Sequence, residues 1–182
     1  MPIYIAMLRG INVGGYNLVK MSSLKEMFED LGFERVQTYI QSGNLVFKAA
    51  KGSLSVLSTK IEGKILTECG FSCSVITRTP EELGKAIQNN PFVKESGTDP
   101  AKVHIAFLSA VPKSDAVEKL GALATKSEQL RHCGKEIYLY YPVGMGRAKL
   151  TGSVLERVLA VTATARNWNT VNRLYTMAVG KI

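Results

Sequence analysis

The chain has 182 residues and a formal net charge of +8, and its 46% hydrophobic and 21% charged residues exclude a disordered or fibrous protein. No apolar run approaches the roughly 20 residues that a membrane-spanning helix needs, and the amino terminus lacks the basic flank and cleavage site of a signal peptide. Cys69, Cys73 and Cys133 are too few for a disulfide framework. We therefore expect a cytoplasmic protein of one or two domains without a membrane partner.

The first half of the chain is predicted to form a β-α-β-β-α-β unit followed by one more helix. Apolar runs predict strands at residues 3–8, 36–41, 45–48 and 72–77, the middle two forming a hairpin that turns at Ser42-Gly43-Asn44. Helical spacing of apolar residues predicts helices near residues 24, 54 and 80. Their expected start and end signals are a capping box of Ser23 and Glu26, a left-handed Gly32, a cap at Ser53, and the segment Thr79-Pro80-Glu81-Glu82.

The same order of elements recurs after a polar stretch at residues 95–100. Strands are predicted at 103–108, 129–132, 136–141 and 161–165, and helices at 116–123 and around residues 154–159 and 171–178. The two repeats predict an α+β protein of two ferredoxin-like lobes, each a β-α-β-β-α-β unit plus a helix, with mostly antiparallel sheets. We place the lobes at residues 1–95 and 96–182.

The basic excess is concentrated at the carboxyl end of the chain. Residues 131–182 hold eight Lys or Arg but only Glu136 and Glu156, whereas residues 96–130 hold four basic and four acidic side chains. A positive field of this kind favours anionic partners such as phosphates or nucleic acid. A solvated basic face that aids solubility explains the same pattern, because no basic cluster is longer than two residues.

Three polar segments differ from ordinary core and surface sequence, and the first is Arg9-Gly10-Ile11-Asn12-Val13-Gly14-Gly15-Tyr16-Asn17. Glycines at this place allow positive φ, so that successive N–H groups can turn toward an anion. The spacing matches neither a dinucleotide-binding fingerprint nor a Walker loop. A tight structural turn is the alternative interpretation.

The second segment is Thr38-Tyr39-Ile40-Gln41-Ser42-Gly43-Asn44. Alternation along a strand places Tyr39 and Gln41 on one face, where a phenol and an amide can together recognise the edge of a ligand. Hairpin chemistry is a sufficient explanation for Ser42-Gly43-Asn44.

The third segment, residues 162–170, lies where the last strand meets the last helix and contains the single tryptophan, Trp168. Asn167 or Asn169 can cap that helix, whose first N–H groups favour a nearby anion, and Arg166 can add a bidentate donor. In the alternative interpretation, Trp168 anchors the core and Arg166 pairs with a carboxylate.

Taken together, these segments resemble those of the family called domain of unknown function 1697. The resemblance rests on residues 8–15, 38–44 and 163–170, in that order, and extends over almost the full chain. It implies a two-lobed, ferredoxin-like α+β fold and no specific reaction, ligand or catalytic residue. Within residues 144–150 this chain has Ala148, where such proteins often carry Ser; a ligand contact made by that hydroxyl would be lacking here.

The three segments contain no Asp, Glu, His or Cys, and therefore no obvious proton carrier for acid–base catalysis. His104 falls inside an apolar strand, which is typical of a core residue, and His132 lies beside a hairpin. The Cys and His residues do not have the spacing of a zinc site. We predict neither a metal nor a cofactor.

These observations favour a binding protein for an anionic ligand, either a nucleotide-like small molecule or the phosphates of a nucleic acid bound without sequence preference. The candidate ligand-binding residues are Arg9, Asn12, Gly14, Gly15, Asn17, Tyr39, Gln41, Asn44, Arg166, Asn167 and Asn169. The hypothesis requires the three segments to line one hollow between the lobes.

Two alternatives remain open. One is an enzyme acting on a phosphorylated or carboxylated metabolite, in which Arg9, Arg166 and backbone amides stabilise charge and Tyr16 or Tyr39 donates the proton. The other is an interaction scaffold whose polar loops hold the lobes together. Replacing Asn12 or Asn169 would then reduce stability and leave binding unchanged.

Overall fold

The computed structural model describes residues 1–180, and the predicted order of strands and helices is confirmed. The strands are β1 (Ile3–Leu8), β2 (Glu34–Tyr39), β3 (Asn44–Lys48), β4 (Val75–Arg78), β5 (Val103–Leu108), β6 (Gln129–Cys133), β7 (Glu136–Tyr140) and β8 (Ala163–Asn167). The α-helices are α1 (Met21–Asp30), α2 (Leu54–Cys69), α3 (Pro80–Gln88), α4 (Ser114–Leu123), α5 (Gly152–Leu159) and α6 (Trp168–Val179). Three short 3₁₀ helices lie at Phe92–Lys94, Pro100–Lys102 and Met145–Arg147.

The first four strands form one antiparallel sheet in the order β2-β3-β1-β4. Alternate residues of β1, among them Ala6 and Leu8, pack with residues of α1 and α2 in a core that includes Phe28 and Phe47. The residues between them, such as Ile5, are also fully buried, so both faces of the sheet are covered. This explains why β1 has an uninterrupted apolar sequence and not an alternating one.

The last four strands repeat the arrangement in the order β6-β7-β5-β8, again fully antiparallel. Ala106 and Leu108 of β5 pack with Leu120 of α4 and Leu155 of α5, while Ile105 is buried on the other face. Both sheets have the strand order of the split β-α-β motif. The protein is therefore an α+β protein with two ferredoxin-like lobes.

By its internal contacts the chain divides into two compact units. The first comprises Met1–Gly84 together with the chain from Arg173 onward, and the second comprises Lys85–Asn172, so that the divisions fall inside α3 and α6. No helix within residues 1–180 is both long and apolar enough to span a bilayer.

The observed helix ends confirm some of the predicted start and end signals and contradict others. Thr79 and Glu82 form the predicted capping box of α3, with the Glu82 N–H donating to Thr79 Oγ1 (3.2 Å) and the Thr79 N–H donating to Glu82 Oε2 (2.9 Å). The capping box predicted for α1 is wrong, because that helix begins at Met21 and Ser23 and Glu26 lie inside it. Gly32 follows α1 with φ +79°, as predicted.

The strand predicted to reach Gln41 ends two residues earlier, at Tyr39, and β3 begins at Asn44. The hairpin turn therefore consists of residues 40–43. Ile40 has φ +49°, a left-handed conformation that takes the backbone out of the strand and is unusual for a β-branched residue.

Gly43 is required by the close approach of the β2–β3 turn to the end of β1. Gly43 has φ +75°. A Cβ atom added to its Cα would lie 2.6 Å from Ile11 Cδ1 and 2.8 Å from Leu8 Cβ. The Leu8 N–H donates to the Gly43 carbonyl at 2.8 Å, so neither segment can move away without losing this hydrogen bond.

We expect Gly43→Ala to lower the free energy of unfolding by about 2–5 kcal/mol, since left-handed strain and a steric clash act together. Gly32→Ala is the matched control. Its φ is also positive but no atom lies within 4 Å of the added methyl group, so a loss of only about 1–2 kcal/mol is expected. Urea unfolding measures both values. Equal losses in the two variants would contradict the steric argument.

Candidate functional site

The internal repeat shows which connections are longer than the fold requires. The β1–α1 connection spans residues 9–20, twelve residues, whereas its counterpart between β5 and α4 needs only the five residues 109–113. Both start from equivalent hydrogen bonds, Arg9 N–H to the Ser74 carbonyl and Ser109 N–H to the Thr162 carbonyl, each 2.9 Å. The extra residues of the β1–α1 loop are thus not needed to connect a strand to a helix in this topology.

The β1–α1 loop folds back on itself as a small hairpin. The Tyr16 N–H donates to the Val13 carbonyl (3.0 Å), and Gly14 and Gly15 between them have φ values of +60° and +81°, the pattern of a type I′ turn. The Asn17 side chain donates to the Gly10 carbonyl at 3.1 Å. The segment therefore forms a tight turn, as the alternative interpretation of its sequence predicted, and both glycines are exposed at its tip.

Asn12 joins this loop to the β2–β3 turn. Its Oδ1 accepts the Val19 N–H (2.8 Å), and its Nδ2 donates to the carbonyls of Val19 (3.0 Å) and Gln41 (2.9 Å). The first and second polar segments, which are far apart in sequence, therefore meet. We call the surface formed by residues 9–20 and 39–44 the loop–turn surface.

Within the turn, Asn44 has an internal structural role. It is fully buried, and its Nδ2 donates to the Tyr39 carbonyl (3.1 Å) and to Ser42 Oγ (2.9 Å). Tyr39 is half-buried and Gln41 is exposed. Gln41 thus presents its side chain to solvent while its backbone is held by Asn12.

Arg9 is half-buried at the start of the loop, and its backbone is fixed on both sides. Its N–H donates to the Ser74 carbonyl, and its own carbonyl accepts a hydrogen bond from the buried Cys73 thiol at 3.4 Å. The stem of the loop is therefore anchored to the segment that leads into β4.

The other side of the loop borders an acidic cleft of about 470 Å³ between α1 and the end of α2. Leu18, Val19 and Lys20 line it together with Glu26, Asp30 and Glu68. Lys64 bridges two of these carboxylates, at 3.0 Å from Asp30 and 2.9 Å from Glu68. The carboxylates of this cleft repel an anion. An anion is therefore expected on the other side of the loop, which faces the β2–β3 turn.

The third polar segment lies in the second unit. Arg166 is 8% exposed, and its Nη1 donates to Thr164 Oγ1 (2.7 Å) and to the Ala165 carbonyl (2.9 Å). Asn167 caps α6 as expected, its Oδ1 accepting the Asn169 N–H at 2.9 Å, while its Nδ2 donates to the Ala101 carbonyl at 2.7 Å. Asn169 is exposed in the first turn of the helix, and Trp168 is half-buried.

Sequence reasoning missed Arg78, which is the counterpart of Arg166 in the first lobe. Arg78 pairs with Ile5 across the ladder, as Arg166 pairs with Ile105, and a single residue separates each arginine from the helix that follows. Arg78 is 4% exposed, and its Nη1 donates to the Thr77 carbonyl at 3.0 Å. The signal in the sequence is an arginine followed by a capping residue at the same point of each repeat.

A second extended connection was also missed. The β7–α5 loop has eleven residues (141–151), against five (49–53) between β3 and α2. Two buried side chains hold its end: Tyr141 donates its hydroxyl to the Leu150 carbonyl (2.7 Å), and Glu128 Oε1 accepts the Leu150 N–H (2.9 Å). Ala148 packs against the core of this lobe. A stretch without any acidic residue from 137 to 155 could have indicated this loop.

The histidines lie in different surroundings. His104 is half-buried in β5 beside Asn167, with its ring at an edge of the Tyr141 ring, and burial lowers its pKa although the nearby backbone of Lys102 acts in the opposite direction. His132 is exposed and its Nε2 lies 2.8 Å from the Gly134 carbonyl. Among residues 1–180, no three His, Cys, Asp or Glu side chains gather as metal ligands would.

Asn12 and Gln41 provide a test of which side chains build the loop–turn surface. Asn12→Ala removes three hydrogen bonds from a half-buried position, so we expect the free energy of unfolding to fall by about 1–3 kcal/mol. Gln41→Ala is the control, because only the carbonyl of Gln41 takes part in that contact, and a change within about 0.5 kcal/mol is expected. Chemical denaturation compares the two, and similar losses would refute the assignment.

Glu128 predicts an acid-dependent stability. Burial raises the pKa of its carboxyl, but hydrogen bonds from the Leu150 N–H and from the backbone and hydroxyl of Thr125 outweigh this, so the pKa lies below its ordinary value of 4.5. The ionised form is therefore the one that stabilises the fold. Its contribution is complete above pH 4.5 and is lost as the pH falls through the lowered pKa of the folded state.

At neutral pH we expect Glu128→Gln to cost about 2 kcal/mol of unfolding free energy. The difference from the unmodified protein should shrink below about pH 4.5. Glu118→Gln, at an exposed position of α4, is the control and should change little at any pH. A pH-independent difference for Glu128→Gln would show that the charge is not what stabilises the loop.

The chain is similar in sequence to a known protein family and in fold to a solved structure. The model of a family described as "Protein of unknown function (DUF1697)" matches residues 1–138, so the third polar segment lies beyond the matched range. No curated protein matches the chain. Among solved structures, the conserved bacterial protein SP0830 from Streptococcus pneumoniae is similar in fold, with a TM-score of 0.72 and 24% identity over 97% of this chain and 98% of that one. With more than half of its residues matched by that model, the chain belongs to the DUF1697 family.

Proposed function

We propose that the protein binds an anionic ligand at the loop–turn surface of its N-terminal lobe. The ligand class is a phosphate group, carried by a nucleotide-like small molecule or by a nucleic acid that is bound without sequence preference. The observation that carries the proposal is the twelve-residue β1–α1 loop, which the equivalent connection of the second lobe shows to exceed the needs of the fold. Extended loops on a rigid scaffold are where binding residues concentrate.

The charge of the loop–turn surface supports an anion. Residues 9–20 and 39–44 contain no Asp or Glu and two basic residues, Arg9 and Lys20, of which Lys20 lines the acidic cleft on the other side of the loop. Gly14 and Gly15 are exposed at the tip, and within the described residues no hydrogen bond uses their N–H groups. Successive backbone N–H groups at positive φ form a concave donor array that suits phosphate oxygens.

The candidate residues divide into two roles in this proposal. Asn12, Asn17 and Asn44 use their amides to fix the loop and the turn, and so act on the ligand only through the shape they hold. The ligand contacts are assigned to the Arg9 guanidinium, the Tyr39 phenol, the Gln41 amide and the N–H groups of Gly14 and Gly15. No contact at this surface is assigned to Arg166, Asn167 and Asn169, which belong to the second unit and form hydrogen bonds within it.

The basic carboxyl-terminal quarter adds a favourable long-range field. Arg147, Lys149 and Arg157 are exposed, and none of them pairs with a carboxylate in the part of the chain that the structure describes. Charges of one sign raise the local concentration of an oppositely charged ligand and its association rate. The proposal includes a cytoplasmic location, which is supported by the three cysteines Cys69, Cys73 and Cys133, none of which forms a disulfide within the described residues.

Thermal unfolding in the presence of inorganic pyrophosphate and of nucleoside triphosphates tests this proposal. A ligand present at about 100 times its Kd should raise Tm by roughly 5–10 °C. In the double variant Arg9→Gln/Gln41→Ala the shift should fall below about 2 °C, because the assigned donors are gone.

Arg157→Gln is the matched control, since it removes an exposed arginine from α5 and keeps the loop–turn surface unchanged. Its shift should equal that of the unmodified protein. Stabilisation that is absent for every anion, or that is the same in the double variant, would reject this surface as the binding site.

A further inference from the structure

Tyr16 is the most exposed large hydrophobic side chain of the β1–α1 loop. It is 77% exposed and stands at the end of the Gly14-Gly15 turn, next to the exposed side chains of Val13 and Leu18. An exposed aromatic ring on a surface without acidic residues is a suitable partner for the face of a nucleobase. Such stacking does not depend on base identity because every base has a π-face.

The sheets themselves are not available for this purpose. RNA-binding domains with the same topology stack bases on aromatic side chains of an open sheet face. Here both faces of each sheet are covered. On the face opposite α1 and α2, β1 buries Ile5 and Met7, and on the face opposite α4 and α5, β5 buries Ile105 and Phe107. Contact with bases is therefore confined to loops, and the loop that exposes an aromatic ring is the β1–α1 loop.

The backbone that carries Tyr16 is held in place before any ligand arrives. Asn12 and Asn17 hold the two strands of the small hairpin by their side chains, and the Asn12 N–H also donates to the Asn17 carbonyl at 3.2 Å. Asn12, Asn17 and Ile40 all have positive φ. Non-glycine residues in this conformation concentrate at functional sites, where the strain is maintained by the surrounding structure.

The shape of the loop distinguishes a polymer from a free nucleotide. Pockets for small molecules are concave and bury most of the ligand. Tyr16, Val13 and Leu18 instead project from the tip with more than half of their surface exposed. Exposed apolar side chains beside an arginine suit a flexible strand that supplies several bases and phosphates in succession.

We propose that Tyr16 is a base-stacking residue and that the ligand of the loop–turn surface is a single-stranded nucleic acid. This inference rests on the proposed function, to which it adds the class of ligand. Arg9 and the N–H groups of Gly14 and Gly15 contact the phosphates, and Tyr16, with Val13 beside it, contacts the bases.

The test measures fluorescence anisotropy of a labelled thymidine oligonucleotide of about twelve nucleotides, and of an abasic oligonucleotide with the same number of phosphates. The oligonucleotide with bases should bind more tightly. Tyr16→Ala should weaken its binding by about 5- to 150-fold and leave the abasic one unchanged. Tyr16→Phe should keep the affinity, because the ring is retained.

Val143→Ala is the matched control, since Val143 is a similarly exposed apolar residue in the β7–α5 loop of the other lobe, and its affinities should be unchanged. Each other outcome rejects a defined part of the inference. Equal binding of the two oligonucleotides, with no effect of Tyr16→Ala, would overturn stacking while the phosphate site remained. Displacement of the labelled oligonucleotide by thymidine monophosphate at equal concentration would overturn the inference that the ligand is a polymer. Binding of neither oligonucleotide at low salt would overturn the nucleic-acid ligand, whereas the phosphate site itself stands or falls with the Tm shift in pyrophosphate.

Discussion

The loop–turn surface depends on the side-chain amide of Asn12. This amide binds both the N–H and the carbonyl of Val19 and also reaches the Gln41 carbonyl, so it closes the loop and attaches it to the neighbouring turn. The Asn carboxamide offers an acceptor and two donor hydrogens on separate atoms of one neutral group, and Asn tolerates the left-handed conformation (φ +53°) found at this position. This contact adds a polar link between the loop and the turn to the close approach of Ile11 and Gly43.

The internal repeat distinguishes the connections that the fold requires from the loops that are longer than it requires. Two copies of the same strand order are connected by segments of different length, and each lobe extends one connection: the first lobe after its first strand, the second after its third. Because β1 and β3 run antiparallel, as do β5 and β7, these are different ends of the repeated unit. The lobes therefore have the same core and differ in the loops, which is the usual place for binding residues.

Three buried polar side chains hold such loops in place. Asn44 organises the β2–β3 turn, and Glu128 and Tyr141 fix the end of the β7–α5 loop. Each of these groups is costly to bury without a hydrogen-bond partner, and each finds that partner in a backbone group of a connecting segment. Rigid loops next to apolar cores follow from this arrangement.

The sequence by itself determined the order of the elements and the repeated unit, because the spacing of apolar residues is a local property. The predicted bounds of β1 and β5 agree with those of the structure. The helix start at Thr79-Pro80-Glu81-Glu82 could also be predicted, because a cap is a local pattern of residues. Only the tertiary structure decided that Asn12 reaches a carbonyl 29 positions away, that Asn44 is internal, and that Glu128 holds a loop 22 positions further on. Hydrogen bonds between distant positions depend on the path of the chain through space, and no local pattern of residues encodes that path.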